Sequence, residues 1–579
     1  MSELIPKDLP KGKDLIEEGK KIGASLEIAT SGYERERKRD FFQWRIEEAK
    51  KGSINFFPQM GLSTVDEQVE ATKKLYEEFQ KRGIDINIML VTSSTVNGLP
   101  PDLREKAPKG TSFILKELED FKRIIQASPV MPLFGDNMVG TPNSVNNAKN
   151  ILSAGGLAMG TLSQFTWDYP YWDDDVGQVS ETVKALGIIA SKYDIGSSLG
   201  SYVGDGTSSS FLDHASEVGY CLLEQYVVEE LCGARYAISL GGLMSNIPAK
   251  MATWLAINDA LRKGVVPVIA HIEGNTIEPG EDCAANYGLV LADFIPYALI
   301  ERKYKTGAIY IPKPVTEALQ VPTLEEIIDV AAACSASLPR VYEIEEAGLF
   351  DDSEIIKLKN VLIGNGKKFF QNILKGLAAD WGVDVKDPVH VLLAVRRLGG
   401  AKLEELYHPG KRDSSRYRGI VPYSMTDLIQ MMDPFVEFSS ETIRTEKLGD
   451  AIKDKKIVIG STDTHEFGLY VLDKVFNAFG AKVLNAGVDL DAEEVLDLAS
   501  KEGTPFIAMS THNGQCFDWG KRFVEVAKSR KQDAKLFMGG VLNAILEGAA
   551  EPVDVKDKLS ALGIVPCNDA VDIAKELAR

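Results

Sequence analysis

The sequence predicts an α/β protein, in which a (β/α)8 TIM barrel precedes an accessory region and a C-terminal flavodoxin-like (Rossmann-like) domain. Three observations predict this fold. The chain has 579 residues, which is too long for one hydrophobic core. Short apolar segments alternate with longer amphipathic segments before residue 335, and a compact strand–helix alternation resumes near residue 453. We expect a barrel domain with an N-terminal extension at 1–335, an accessory region at 336–452 and a second domain at 453–579.

The barrel is predicted from short apolar segments that each end in small or polar residues. They occupy residues 54–61, 86–95, 129–137, 156–165, 194–206, 234–242, 266–274 and 294–312. Amphipathic helices are predicted between them, for example at 66–82 and 213–232. In such a barrel the active site lies at the carboxyl ends of the strands, where Gln59, His271 and Glu273 are found.

Composition excludes several classes of partner. The net charge of −19, with lysines and arginines scattered among acids, opposes binding to nucleic acid or to anionic membranes. We find no apolar run near the ~20 residues that cross a bilayer, and no signal peptide, so we expect a cytoplasmic protein. The six cysteines form no C-x-x-C pair, which argues against a zinc site. We expect a small-molecule acid as substrate and a homo-oligomer.

The last domain carries a motif of metal-binding chemistry directly after its first strand, KIVIGST. The motif is D-x-H-x-x-G, formed by Asp463, His465 and Gly468. In a doubly wound sheet, ligands bind at the carboxyl ends of the strands. An exposed imidazole at His465 can bind a soft transition metal, while the Asp463 carboxylate accepts a hydrogen bond from the other ring nitrogen.

Two more signals follow the third and fourth strands of this domain, within five predicted parallel strands that have helices on both faces. One is the run from Ser510 through Thr511 and His512 to Gly514, and the other is the pair Gly539-Gly540. Small residues there open a slot between sheet and helices, and glycines let backbone approach a ligand closely.

At these residues the chain resembles the cobalamin-binding domain of adenosylcobalamin-dependent mutases and methionine synthase. It is most similar to the small subunit of glutamate (methylaspartate) mutase. The resemblance implies that His465 is the lower axial ligand of cobalt, held by Asp463. The other residues implied to bind the cofactor are Thr464, Gly468, Ser510, Thr511, His512, Gly514, Gly539 and Gly540. His512 departs from the family pattern S-x-L.

The barrel resembles the large subunit of glutamate mutase, through Pro58-Gln59-Met60-Gly61, through Trp167 to Tyr171, and through HPGKRDSSRYRG at 408–419. The chain thus looks like both subunits fused, as in 2-methyleneglutarate mutase. The resemblance implies cofactor contacts from Gly61, Pro170, Lys303 and Ile311, and substrate contacts from Trp167 and Tyr171.

The resemblance breaks down at the residues that grip the substrate. The matching positions read Gln59, Met138 and Thr161, and we identify no arginine in the loop after the second strand. Without the arginine fork that binds carboxylates, glutamate is not the expected substrate. We expect another small acid, bound by residues such as Gln59, Asn137, Gln164, His271 or Arg302.

The expected reaction is a radical 1,2-rearrangement with adenosylcobalamin, a reaction in which His271 and Glu273 steady a polar substrate by hydrogen bonding. The alternative is a corrinoid-dependent methyltransferase, with residues 353–407 as its helical cap. A pyridoxal-dependent aminomutase and a non-catalytic corrinoid carrier stay open, but no lysine is singled out for the former and the barrel has no task in the latter.

Overall fold

A computed structural model describes residues 4–107, 112–169, 171–204, 206–261, 270–317, 319–463, 467–488, 490–512, 514–544 and 553–579. Within these residues the chain forms two units. The first comprises Met1–Glu278, Ala284–Pro314 and Thr323–Ser424. The second comprises Pro279–Cys283, Val315–Pro322 and Met425–Arg579.

The first unit contains an eight-stranded parallel sheet whose strands follow one another in chain order. The strands are β1 (Gln59–Met60), β2 (Ile88–Val91), β3 (Met131–Phe134), β4 (Ala158–Met159), β5 (Ser198–Val203), β6 (Tyr236–Leu240), β7 (His271–Glu273) and β8 (Ile309–Ile311). A parallel bridge between Phe56 and Tyr310 joins the approach to β1 with β8. The sheet is therefore a nearly closed parallel barrel, as the sequence predicts.

The barrel interior is filled by alternate residues of the strands, as expected for a closed sheet. One buried cluster contains Ile88 and Leu90 of β2, Met131 and Leu133 of β3, and Ile309 and Ile311 of β8. Tyr33, Phe41 and Trp44, which precede β1, belong to the same cluster. Residues two apart in a strand share a side of the sheet. Thr92, two residues after Leu90, and Lys313, two residues after Ile311, therefore point toward the barrel axis.

The helices of the first unit precede and alternate with these strands. They are α1 (Gly12–Ala24), α2 (Gly32–Arg37), α3 (Phe41–Lys51), α4 (Val65–Lys81), α5 (Pro101–Arg104), α6 (Leu118–Ile125), α7 (Ser144–Ser153), α8 (Asp175–Ala190), α9 (His214–Gln225), α10 (Ile247–Leu261), α11 (Cys283–Tyr304), α12 (Leu324–Glu346), α13 (Ser353–Trp381) and α14 (Pro388–Tyr407). A capping box of Thr64 and Glu67 starts α4, since each side chain satisfies a backbone N–H of the first turn.

One predicted strand is mostly helix. Of the apolar segment 294–312, residues up to Tyr304 belong to α11 and only Ile309–Ile311 form a strand. Helix and strand are confused here because a helix that is apolar on most sides has no clear 3.6-residue period. By length and composition α11 is also the one helix among the described residues that could cross a membrane. Its place between β7 and β8, with Phe294, Tyr297 and Ile300 buried, is compatible with a soluble protein.

The second unit contains a five-stranded parallel sheet in the order β10-β9-β11-β12-β15 and a short antiparallel pair, β13-β14. Its strands are β9 (Lys456–Ser461), β10 (Lys482–Asn485), β11 (Phe506–Thr511), β12 (Lys535–Gly540), β13 (Asn543–Ala544), β14 (Val553–Asp554) and β15 (Val565–Cys567). Its helices are α15 (Asp427–Thr445), α16 (Gly449–Ile452), α17 (Phe467–Ala478), α18 (Ala492–Glu502), α19 (Cys516–Arg530), α20 (Lys556–Ala561) and α21 (Ala570–Ala578). A buried apolar cluster lies on each face of the sheet.

The residues that follow the barrel in sequence and precede the second sheet belong partly to the first unit and partly to the second unit. Helix α13 packs against α9 and α10, and α14 packs against α8, so both extend the helical layer around the barrel. Helix α15 packs against α17 in the second unit. Predicted helices at 353–380 and 389–407 correspond to α13 and α14.

Candidate active site

Polar side chains gather at the carboxyl ends of the barrel strands, in a group that we call the barrel mouth. Its members come from different strands or from the residues directly after them: Gln59, Asp136, Thr161, Ser239, His271, Glu273 and Lys313. The register of the sheet brings them together, since Ser239 lies beside His271 across β6 and β7. Glu273 lies beside Ile311 across β7 and β8.

The barrel mouth contains an ion pair between Lys313 and Glu273. Lys313 Nζ lies 2.7 Å from Glu273 Oε2, and both side chains are at most 10% exposed. The same ammonium donates a hydrogen bond to Gln59 Oε1 at 2.9 Å. Burial raises the pKa of Glu273, but the charge of Lys313 and the contact with His271 outweigh it and hold this pKa at about 2. Glu273 is therefore a fixed anion.

His271 is oriented by neighbours on both ring nitrogens. Its Nε2 lies 3.4 Å from Glu273 Oε1, and its Nδ1 lies 3.0 Å from Ser239 Oγ. Because an ionised carboxylate only accepts hydrogen bonds, Nε2 is the donor to Glu273, and Ser239 Oγ is the hydrogen-bond partner of Nδ1. The edge of Phe57 packs against the ring at 5.1 Å between centroids. His271 is thus held in one position.

Asp136 is the second carboxylate of the barrel mouth. It follows β3 and accepts a hydrogen bond from Thr161 Oγ1 at 3.2 Å. Burial and the negative charge of Glu273 raise the pKa of Asp136, against opposing effects of Thr161, Lys313 and His271. The charges of Glu273 and Lys313 thus act on Asp136 in opposite directions.

Asn137 and Gln164, two predicted substrate-binding residues, bond to each other, and Asn137 also bonds to Ser93 and Tyr169. The Asn137 backbone N–H donates to Gln164 Oε1 at 2.7 Å, and Gln164 Nε2 lies 3.4 Å from Asn137 Oδ1. Both are buried, at 4% and 0% exposure. Their amides therefore join the loops after β3 and β4.

The predicted aromatic pair lies on the segment after β4. Trp167 is partly buried and packs with Val96, Leu99 and Tyr169. Its carbonyl accepts a hydrogen bond from Arg396 of α14 at 2.6 Å, which anchors the segment. Tyr171 is 56% exposed. Pro170, between them, lies outside the described residues.

Arg302 and Lys303 are not brought to the barrel mouth. Both lie in the last turn of α11, at the end that leads into the start of β8. Arg302 pairs with Glu345, and Lys303 pairs with Asp352. The active-site end of a barrel is at the other end of the strands, so this geometry gives these side chains a role on the helical layer.

Gly61 and Ile311, two further predicted cofactor contacts, do lie at the carboxyl ends of their strands. A side chain at Gly61 would place its Cβ 2.3 Å from the carbonyl oxygen of Thr92, so only glycine fits there. Ile311 is fully buried as the last residue of β8.

The segment between β2 and β3 contains a buried arginine, at the last residue of α5. Arg104 is buried, and its guanidinium donates to the backbone carbonyls of Leu99, Leu115 and Asn97. Its hydrogen bonds hold the segment together. Sequence reasoning missed Lys313 as a site residue, although the alternation after Ile309 and Ile311 placed it on the inner face.

The second unit has a different candidate site at the carboxyl ends of β9, β11 and β12, which we call the glycine slot: Gly468, Ser510, Thr511, Gly539 and Gly540. A Cβ on Gly540 would lie 2.1 Å from the carbonyl oxygen of Thr511, and the φ of Gly540 is +99°. A Cβ on Gly468 would lie 2.2 Å from Ser510 Oγ. Only glycines allow these segments to approach β11.

Asp463 ties the loop after β9 to the loop after β11. Its Oδ2 accepts the backbone N–H of His512 at 2.7 Å, and its side chain is buried. Thr464 and His465 lie outside the described residues, so the contact between Asp463 and His465 stays a prediction. Gly514 follows β11 with a φ of +77°.

Two buried hydroxyl groups at this edge of the sheet are available to form hydrogen bonds. Thr462 Oγ1 and Thr511 Oγ1 are buried and have no hydrogen-bond partner among the described residues. Buried polar atoms are normally bonded to protein, water or ligand. The glycine slot thus combines close backbone approach with groups that can bind a polar ligand.

Comparison with known proteins finds no matching family model. Over 138 residues the chain is 29% identical to the glutamate mutase sigma subunits of Escherichia coli O157:H7 and Shigella dysenteriae serotype 1 (strain Sd197). Each match covers 22% of this chain and 89% of the relative.

Two solved structures show weaker likeness. A cobalamin-binding protein from Desulfitobacterium hafniense DCB-2 has 18% identity and a TM-score of 0.20, covering 26% of this chain and 82% of its own. A dihydropteroate synthase from Xanthomonas albilineans has 13% identity and a TM-score of 0.29, covering 50% and 93%. Likeness at these TM-scores does not establish a shared fold.

Proposed function

We propose that this protein is a cobalamin-dependent mutase, which uses adenosylcobalamin in a radical 1,2-rearrangement of a small organic acid other than glutamate. The observation that carries the proposal is the 29% identity over 138 residues with nearly the whole glutamate mutase sigma subunit. The length of this match is close to that of the C-terminal domain predicted at 453–579. The parallel barrel supports the proposal because it is a separate part of the chain that can bind the substrate.

The residues of the second unit fit a corrinoid. We propose that its sheet is flavodoxin-like, a fold in which ligands lie at the carboxyl ends of the strands. The glycine slot lies at those ends, together with the hydroxyls of Thr462 and Thr511, which have no hydrogen-bond partner in the described part of the chain. Both features suit a polar nucleotide tail. His465, two residues after the buried Asp463, would bind the cobalt of the cofactor.

In the bound state the cofactor supplies homolytic cleavage of its cobalt–carbon bond. The chain's own residues bind and orient the substrate. The Lys313–Glu273 pair and the fixed His271 ring form a preorganised polar surface at the barrel mouth. Leu90, Leu133 and Ile311 fill the barrel below it, which keeps water from entering through the barrel.

Glutamate is disfavoured by the charges of the barrel mouth. Two substrate carboxylates call for two cations, and Lys313, which also pairs with Glu273, is the one lysine or arginine that we find in the barrel mouth among the described residues. Arg104, the buried arginine between β2 and β3, is bonded to three backbone carbonyls.

The packing of α13 and α14 favours a mutase over a methyltransferase. A methyltransferase cap would be a helical domain beside the corrinoid module. Both helices instead pack against α8, α9 and α10, the helical layer of the barrel.

The cobalt ligand is tested by electron paramagnetic resonance of full-length protein loaded with cob(II)alamin. With protein labelled with ¹⁵N in histidine, a histidine ligand turns the nitrogen triplet into a doublet, because ¹⁵N has half-integer spin. His465→Ala should abolish this change, whereas His390→Ala, on α14, should keep it. An unaltered triplet in the labelled protein would overturn the assignment.

The reaction is tested anaerobically with adenosylcobalamin and a panel of acids that includes glutamate and 2-methyleneglutarate. A spin signal that appears with one acid supports the mutase. Methyl transfer from methylcobalamin to a thiol, with no spin signal from any acid, would establish the methyltransferase instead.

A further inference from the structure

The barrel mouth has more negative than positive groups, and this imbalance bears on the substrate. Glu273 and Asp136 are carboxylates, whereas Lys313 is the one lysine or arginine that forms an ion pair with either of them among the described residues. His271 is a further titratable neighbour of Glu273. The inference that follows rests on the proposed function, since it concerns the substrate of the same site.

Glu273 has its partners within the protein. Lys313 Nζ lies at 2.7 Å and His271 Nε2 at 3.4 Å, one on each carboxylate oxygen. A buried carboxylate with a cation and a hydrogen-bond donor is stable as an anion. Glu273 therefore needs nothing from a ligand.

Asp136 has no ion pair among the described residues. In the described part of the chain, its only hydrogen bond is the one donated by Thr161 Oγ1 at 3.2 Å. It is only partly buried, so a ligand in the barrel mouth can reach it. No lysine, arginine or histidine forms an ion pair with Asp136 among the described residues, since Lys313 and His271 pair with Glu273. In keeping with this, burial and the charge of Glu273 raise the pKa of Asp136 by more than the charges of Lys313 and His271 lower it.

We propose that Asp136 binds the protonated amine of the substrate, and that the substrate is a small amino acid with a single carboxylate. An ammonium group would supply the missing counter-charge and a charge-assisted hydrogen bond. A neutral hydroxyl would supply the hydrogen bond alone. The amine therefore matches Asp136 better than any uncharged donor.

For the single carboxylate of the substrate, the barrel mouth offers one cation, Lys313. Lys313 donates to Gln59 Oε1 at 2.9 Å, and this neutral amide oxygen is an acceptor that a substrate carboxylate can replace. A second carboxylate would face Glu273 and Asp136 without a cation. The charges thus narrow the proposed acids to zwitterions and exclude dicarboxylates such as 2-methyleneglutarate.

The test measures ligand-induced thermal stabilisation of the full-length protein without cofactor. The probes are norvaline, 5-aminopentanoate, pentanoate and glutarate, which share five carbons and differ in charge. We expect at least one amino acid to stabilise the protein at about tenfold lower concentration than pentanoate or glutarate. Asp136→Asn should remove this preference, and it should fold because it removes the repulsion with Glu273.

Asp102→Asn is the matched control, since it makes the same change at an exposed aspartate of α5 and should keep the preference. Stabilisation by glutarate or pentanoate as strong as that by the amino acids would overturn the proposal. So would a preference that survives in Asp136→Asn, or no stabilisation by either amino acid. Because no cobalamin is present, these results are independent of the histidine-label test of the cobalt ligand.

Discussion

The barrel mouth and the glycine slot differ in how their polar groups are used. In the barrel mouth, charged side chains from separate strands bond to one another, as Lys313 does with Glu273 and His271 does with Ser239. In the glycine slot the residues are small, and the nearby hydroxyls of Thr462 and Thr511 have no partner among the described residues. The first region is built to hold charges in position, and the second is built to leave room.

This difference predicts different consequences of substitution. Removing a charge from the barrel mouth leaves another charge buried without a partner, which reduces the stability of the fold. Adding atoms to the glycine slot mainly reduces the space for a ligand. Substitutions in the barrel mouth should therefore change mainly the stability of the fold, and substitutions in the glycine slot should change mainly ligand binding.

The largest effect is expected for Lys313→Met. It leaves Glu273 as a buried anion without its cation, which should reduce the free energy of unfolding by about 3–5 kcal/mol at neutral pH. The pKa of Glu273, about 2 in the native protein, lies below its ordinary value, so the stability that it contributes is present at neutral pH and is lost as pH falls from about 4.5 toward 2. The variant should lose this acid-sensitive contribution. Thermal and urea unfolding at several pH values measure it.

The control for this prediction is Lys411→Met, which removes an exposed lysine and should leave stability within about 0.5 kcal/mol. The double variant Lys313→Met, Glu273→Gln should recover part of the loss, because no buried charge remains unpaired. A double variant less stable than the sum of the single changes would contradict the assignment of the ion pair.

A smaller effect, on binding more than on stability, is expected for Gly540→Ala. The added Cβ would lie 2.1 Å from the Thr511 carbonyl oxygen, so β11 and β12 must shift at the glycine slot. We expect cobalamin affinity to fall by about 100-fold, or about 2.7 kcal/mol, in an absorbance titration with hydroxocobalamin.

Gly563→Ala is the matched control, since its φ is also positive, at +83°, but no atom lies within 4 Å of the added Cβ. Both variants bear the strain of a left-handed alanine, of about 1–2 kcal/mol. Equal affinities for cobalamin in the two variants would show that strain alone, and not the glycine slot, accounts for the effect.

The smallest effect is expected for Arg302→Ala. This side chain pairs with Glu345 on the helical layer, where both groups are about one-third exposed. Such pairs contribute less than about 1 kcal/mol, so the melting temperature should change little and substrate affinity should not change. Arg340→Ala, in another exposed pair on α12, is the control. A tenfold loss of substrate affinity in Arg302→Ala alone would restore its role as a substrate ligand.

Much of the fold follows from local patterns. The predicted helix at 66–82 agrees with α4 at Val65–Lys81, and that at 353–380 agrees with α13 at Ser353–Trp381, because amphipathic spacing and caps are encoded in neighbouring residues. The segment 294–312 was misread because α11 is apolar on most sides. Asn137 and Gln164 were expected to meet a substrate, and nothing in their local sequence shows that their amides bond to each other.

The sequence by itself determined the order of strands and helices and the D-x-H-x-x-G loop of Asp463, since periodicity and short motifs depend on neighbouring residues. Tertiary structure alone decided which charges pair. Glu273 lies on β7 and Lys313 lies just after β8, whereas Gln59 lies on β1, more than 200 residues earlier in the chain. The closure of the barrel brings the three side chains together. It also decided that Arg302 faces Glu345 and that Asp136 has no ion pair among the described residues, because pairing depends on distance in space and not along the chain.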